Sequence, residues 1–108
     1  LDYYQLAADL GSAEAMFNIA MMYHQGIAVR RDDAQALRLL VRAANAGSAD
    51  AQFYLASAYE TGLIPAADSQ IVKLYSDAAF NGFLAAFYHL GKYVDHPEVY
   101  VRRTHTRR

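Results

Sequence analysis

Apolar residues recur along the chain at helical spacing, in blocks separated by glycine. Over 13–24 they stand at Met16, Ile19, Ala20 and Tyr23, a pattern that puts one apolar stripe on a helix. A second block over 33–46 places Ala36, Leu39, Leu40, Ala43 and Ala44 on one side. The same spacing predicts helices near 49–60, 68–81 and 84–94, and makes Leu1 to Leu10 the tail of an earlier helix. Polar residues mark the ends. Asp32 or Asp33 is placed to cap the second block, because a carboxylate accepts the free backbone N–H groups of a first turn. Gly47 suits the left-handed position that closes a helix, and Ser48 is placed to cap the next one. After Val94 the pattern decays. Pro97 appears, and Asp95-x-x-Glu98 has the form of a capping box for a short last helix.

The blocks are copies of one unit. Gly11, Gly47 and Gly82 stand 36 and 35 residues apart, and each follows an alanine pair: Ala7-Ala8, Ala43-Ala44, Ala78-Ala79. Ala15-x-Phe17-x-Ile19 returns as Ala51-x-Phe53-x-Leu55 and as Ala86-x-Tyr88-x-Leu90. Tyr23-x-x-Gly26 returns as Tyr59-x-x-Gly62, and Asp33, Gln35 and Leu39 return as Asp68, Gln70 and Leu74. One helix pair cannot bury both its faces, so such pairs stack and stabilise their neighbours. The expected fold is an all-α solenoid of stacked antiparallel helix pairs. It divides into a repeat domain over 1–94, with a partial repeat at 1–11, repeats at 12–47 and 48–82 and a degenerate repeat at 83–94, followed by a short capping helix or basic tail over 95–108.

Composition sharpens this picture. The 21 alanines, with few Val, Ile and Thr, favour helix and predict a tight, thin core. An apolar share of 55% is too high for a disordered segment. The absence of Cys excludes a disulfide framework, a zinc–thiolate site and a thiol nucleophile. No apolar run approaches the ~20 residues that a membrane helix needs. Leu1 opens in mid-pattern, so the chain reads as a fragment or a processed form. The net charge of −1 hides an asymmetry: four arginines, Arg102, Arg103, Arg107 and Arg108, lie at the end of an otherwise acidic chain.

Candidate chemistry is sparse. No two of His24, His89, His96 and His105 have the i, i+4 spacing of a helical metal site, so no metal is expected. Ser12, Ser48, Ser57, Ser69 and Ser76 fall at caps or on helices, none in a nucleophile elbow. The glycines stand singly rather than in a phosphate-cradling loop. An enzyme is not expected, and neither is a cofactor. The tail could contact nucleic acid, an acidic lipid surface or an acidic protein, but a solvated, partly disordered terminus is the favoured reading. It lacks interleaved aromatics and the body would repel phosphate, which disfavours nucleic acid. Arg30, Arg31, Arg38 and Arg42 form a second basic area that Asp32 and Asp33 would largely neutralise.

The repeated residues resemble the Sel1-like repeat, a relative of the tetratricopeptide repeat. In the first full copy Ala15, Ile19, Ala20, Tyr23, Gly26, Ala28 and Val29 take its opening positions. Asp32, Gln35, Ala36 and Leu39 take the middle, and Ala43, Ala44 and Gly47 close the unit. Ala20 and Ala28 replace glycine, and Leu39 replaces tryptophan. The second copy departs further, with Ala56 at the helix glycine, Pro65 in a shortened linker and Ile71 at the Ala36 position. The resemblance implies a right-handed superhelix whose first helices line a concave binding surface. It also points to a bacterial periplasmic or secreted location.

By that analogy the groove residues are Glu14, Phe17, Met21 and His24 in the first copy, then Asp50, Phe53, Ser57 and Glu60, then Tyr88, Lys92 and Asp95. An aromatic row with acidic rims would take a peptide or helix carrying basic and apolar residues. The competing reading of Phe17, Phe53 and Tyr88 is that they pack between repeats. Met21 or Met22 should be core, and Tyr23 and Tyr59 should lock the helix pairs. The leading function is a scaffold that holds another protein or peptide. The alternatives are a structural or self-associating segment, joined through its open N-terminal face, and anionic-ligand contact through the tail.

Overall fold

The computed structural model describes residues 2–94 and contains six helices. These are α1 (Asp2–Asp9), α2 (Ala13–Gln25), α3 (Asp33–Asn45), α4 (Ala49–Glu60), α5 (Asp68–Phe80) and α6 (Ala85–Val94). There is no strand among the described residues. The short last helix or basic tail expected over 95–108 lies outside them, as does Asp95.

Local chemistry sets the helix ends. The Ser12 hydroxyl accepts from the Ala15 N–H and the Ser48 hydroxyl from the Ala51 N–H, both at 3.1 Å. Of the two candidate aspartates, Asp32 is the cap of α3 and accepts from the Gln35 N–H at 3.1 Å. Backbone bonds to the last turn close the other end. The Gly47 N–H donates to the Ala44 carbonyl and the Ser48 N–H to the Ala43 carbonyl. This double bond pattern closes α3 only because Gly47 adopts a φ of 100°. The same pair of bonds recurs after Ala7-Ala8 and Ala78-Ala79.

First and second helices alternate, α2, α4 and α6 against α1, α3 and α5. The most extensive packing is within the pairs α2–α3 and α4–α5, and the remaining neighbours join one pair to the next. The apolar stripes meet in a core that runs along the stack. One part gathers Ala8, Ala15, Met16, Ile19, Ala20, Leu39, Ala43 and Leu55. The other gathers Ala56, Ile71, Tyr75, Ala78 and Ala86, with Tyr59 and Leu74 packed against both parts. Tyr23 is half-buried against the first part. Met21 and Met22 are both half-buried, and Met21 packs against the first part of the core. The radius of gyration is 15.2 Å and the molecule extends 49 × 25 × 19 Å. A compact domain of this length would have a radius of about 13 Å. The elongation is what stacking predicts.

Candidate protein-binding groove

Helices α2, α3 and α4 enclose an open, mostly apolar groove of about 470 Å³. Met21 and His24 enter it from α2, Leu37 and Leu40 from α3, and Tyr54, Ser57 and Ala58 from α4. Thr61, Leu63 and Ile64, in the linker after α4, close one side. At the rim His24 Nδ1 lies 3.0 Å from Asp33, and Arg31 pairs with the same carboxylate at 3.0 Å. The hydrogen bonds from Arg31 and His24 hold the Asp33 carboxyl below the ordinary aspartate range. The rim is therefore locally neutralised, and the groove floor presents hydrocarbon.

The expected groove residues separate into five settings. Met21, His24 and Ser57 share this groove. Glu14, Phe17 and Asp50 border a second, shallower depression of about 350 Å³ where α2 approaches the start of α4. Phe17 is half-buried there, its ring 5.6 Å from that of Tyr54. Phe53 lies on neither surface depression. It stacks on Phe83 at 4.4 Å and meets Tyr75 and His89 edge-on, inside the packing between the second and third copies. Tyr88 stands 75% exposed on α6, with the Lys92 ammonium 5.9 Å from its ring centre.

Glu60 is the centre of a polar cluster. Its carboxylate accepts the Tyr75 and Tyr93 hydroxyls, each at 2.9 Å, and Lys92 Nζ and His89 Nδ1 lie 3.5 Å away. Burial works to raise this carboxyl. The Tyr93 and Tyr75 hydroxyls, with the charges of Lys92 and His89, outweigh it and hold Glu60 below the ordinary glutamate range. Burial first, and then Glu60 itself, push both tyrosine hydroxyls well above theirs. The cluster ties α4, α5 and α6 together.

Several participants escaped the sequence reading. Tyr75 is fully buried and Gln52 nearly so. Neither carries a signal beyond its helical register. Tyr54, Leu63 and Ile64 had one: large apolar residues on a polar helix face and in a linker where solvation favours polar side chains. Among the described residues no group of three or more His, Asp or Glu side chains is placed to hold a metal ion. No helix among them is long and apolar enough to cross a membrane.

The relatives agree with this architecture. The chain is similar to the Sel1 repeat protein from Oxalobacter formigenes, with 31% identity over 89% of this chain and 73% of that one, and a TM-score of 0.83. It is also similar to c5321, a protective antigen of uropathogenic Escherichia coli with an SLR fold, at 26% identity and a TM-score of 0.70. That match covers 86% of this chain but only 20% of the antigen. No curated protein matches the chain. The Sel1 repeat family model matches residues 1–12, 13–48 and 49–71. With its capped helix pairs, continuous core and these matches, the chain belongs to the Sel1 repeat family, whose members generally serve as protein-interaction scaffolds rather than enzymes.

Proposed function

We propose that this chain is a scaffold that holds an apolar segment of another protein in the groove between α2, α3 and α4. The observation that carries the reading is the groove itself: about 470 Å³, open along one side, with a hydrocarbon floor. Pockets of roughly 300–1,000 Å³ suit side-chain-sized anchors, and burying such an anchor supplies most of the energy of a small interface. Met21 adds an adaptable wall, because an unbranched thioether refits to different partners. The neutralised His24–Asp33–Arg31 rim offers orientation rather than net charge.

Selection of displayed peptides on the immobilised chain tests this directly. Enriched peptides should carry large aliphatic or aromatic anchors and shift the methyl signals of Met21, Leu40 and Ile64 in NMR spectra. Leu63→Asp and Tyr54→Ala alter exposed groove residues and leave the core intact. Each should weaken binding by roughly tenfold or more while helicity stays at the wild-type value. Peptides that bind both variants as tightly as the wild type would place the binding surface elsewhere.

A further inference from the structure

We propose that the groove between α2, α3 and α4 takes a tyrosine side chain of its partner, the ring lying over Leu40 and Ala58 and the hydroxyl meeting His24. This rests on the groove reading above and names the anchor that the groove accepts. The next interval of the stack, between α4, α5 and α6, carries the same registers already filled. One repeat on, Glu60 stands at the register of His24, Tyr75 at that of Leu40, His89 at that of Tyr54 and Tyr93 at that of Ala58.

In that second interval the Tyr93 hydroxyl donates to Glu60 at 2.9 Å, and so does the Tyr75 hydroxyl. The His89 ring stacks on Tyr75 at 4.9 Å, and Tyr93 packs against the core part that contains Tyr75. Three rings and a carboxylate close the space. In the first interval two of those rings are absent, leucine standing for Tyr75 and alanine for Tyr93, and the groove of about 470 Å³ lies there.

Burial follows the rings. Tyr75 is fully buried and Leu40 half-buried. Val72 is buried and Leu37, at the same register, half-buried; His89 is half-buried and Tyr54 exposed. The Glu60 side chain is 20% exposed and that of His24 57%. The second interval is the nearer to the end of the described stack, where fewer neighbours are available, so its tighter closure comes from its side chains. The space left open in the first interval is the one that the repeat fills with a tyrosine ring in the second.

The polar end of the groove suits a phenol. His24 Nδ1 lies 3.0 Å from the Asp33 carboxylate, which Arg31 also pairs with. The tautomer that donates from Nδ1 to that carboxylate leaves Nε2 as an acceptor. A partner's tyrosine hydroxyl donates to it there, as the Tyr93 hydroxyl donates to Glu60. A phenylalanine or leucine anchor would bury its hydrocarbon and leave that acceptor unmatched.

Titration of the full chain with N-acetyl-tyrosinamide, N-acetyl-phenylalaninamide and N-acetyl-leucinamide, followed by the methyl signals of Met21, Leu40 and Ile64, tests this. The tyrosine probe should bind about fivefold more tightly than the other two, the net worth of one hydrogen bond. His24→Leu, at an exposed position, should remove that preference and keep binding of the phenylalanine probe. Ala58→Tyr, which installs the residue of the Tyr93 register, should fill the groove with the chain's own ring and abolish binding of all three at unchanged circular dichroism. Equal affinity for the three probes overturns the tyrosine assignment and leaves the groove reading standing; binding of none overturns both. A tyrosine preference that survives His24→Leu overturns the assignment of the hydroxyl. Tyrosine binding that appears only in a Tyr100→Ala variant gives the groove to the chain's own tail, and methyl shifts on concentrating the chain alone give it to a second copy; either overturns the partner assignment.

Discussion

Two residues show how single positions carry the strain and the polarity of the fold. Ala28 has a φ of 66°, the one left-handed residue other than glycine among those described. A Cβ there costs about 1–2 kcal/mol against the following carbonyl. Ala28→Gly relieves that cost and loses part of it to the freer unfolded chain. The expected net gain is about 0.5–1 kcal/mol of unfolding free energy, readable from urea midpoints. Gln52 is the buried polar residue of the core. Its amide donates to the Ala44 carbonyl at 3.0 Å and accepts from Asn81 at 3.1 Å, tying the first copy to the second. Gln52→Ala should cost about 1–3 kcal/mol through lost packing and an unmatched carboxamide neighbour. Gln52→Met, which installs the residue found at this register in α2, should cost less, because it refills the volume. The same denaturation series separates the two.

Among the helices, the contact that sets α6 in place is polar as well as apolar. Glu60, from α4, receives hydroxyls from α5 and α6, and the stacked Phe53–Phe83 rings lie beside it. The folded carboxyl titrates below its unfolded value near pH 4.3. Its contribution is therefore fully present above that pH and is lost as pH falls through the folded value. The tyrosine hydroxyls titrate above their unfolded value near 10, so their contribution is present below that pH and is lost as pH rises past it. Stability should form a plateau between these limits. Glu60→Gln should remove most of the acid limb and cost about 1–2 kcal/mol at neutral pH, measured as denaturant midpoints from pH 3 to 8. An acid limb unchanged in the variant would assign that limb to other carboxylates. The expected groove role of Glu60 has a physical competitor in this cluster, since each of its oxygens already accepts a tyrosine hydroxyl.

Across the whole molecule, stability is a sum of neighbour contacts along one axis. Among the described residues α2, α3, α4 and α5 each pack against neighbours on both sides, with α3 and α4 at the centre, and α1 and α6 each pack extensively against one. Amide exchange should therefore be slowest in α3 and α4 and fastest in α1 and α6. The peptide groove lies in the better protected middle, where a rigid wall costs a partner the least ordering entropy.

Much of this was legible from residue order. The helix bounds, the Ser12, Asp32 and Ser48 caps and the closing glycines follow from spacing and local hydrogen bonding, which act over four or five residues. The repeat of 35–36 residues determines that helix pairs stack. What residue order leaves open is which side of a first helix faces a neighbour and which faces a partner. Phe17, Phe53 and Tyr88 share one register, yet one borders a depression, one is half-buried and stacked against the core and one stands in solvent. That difference comes from the neighbours: Phe83 and Tyr75 close over Phe53, and the third copy supplies nothing described that covers Tyr88. Local chemistry determined the helices and their order. Burial depends on side chains 30 or more residues away, as in the Tyr93–Glu60 bond, and only the stacked structure decides it.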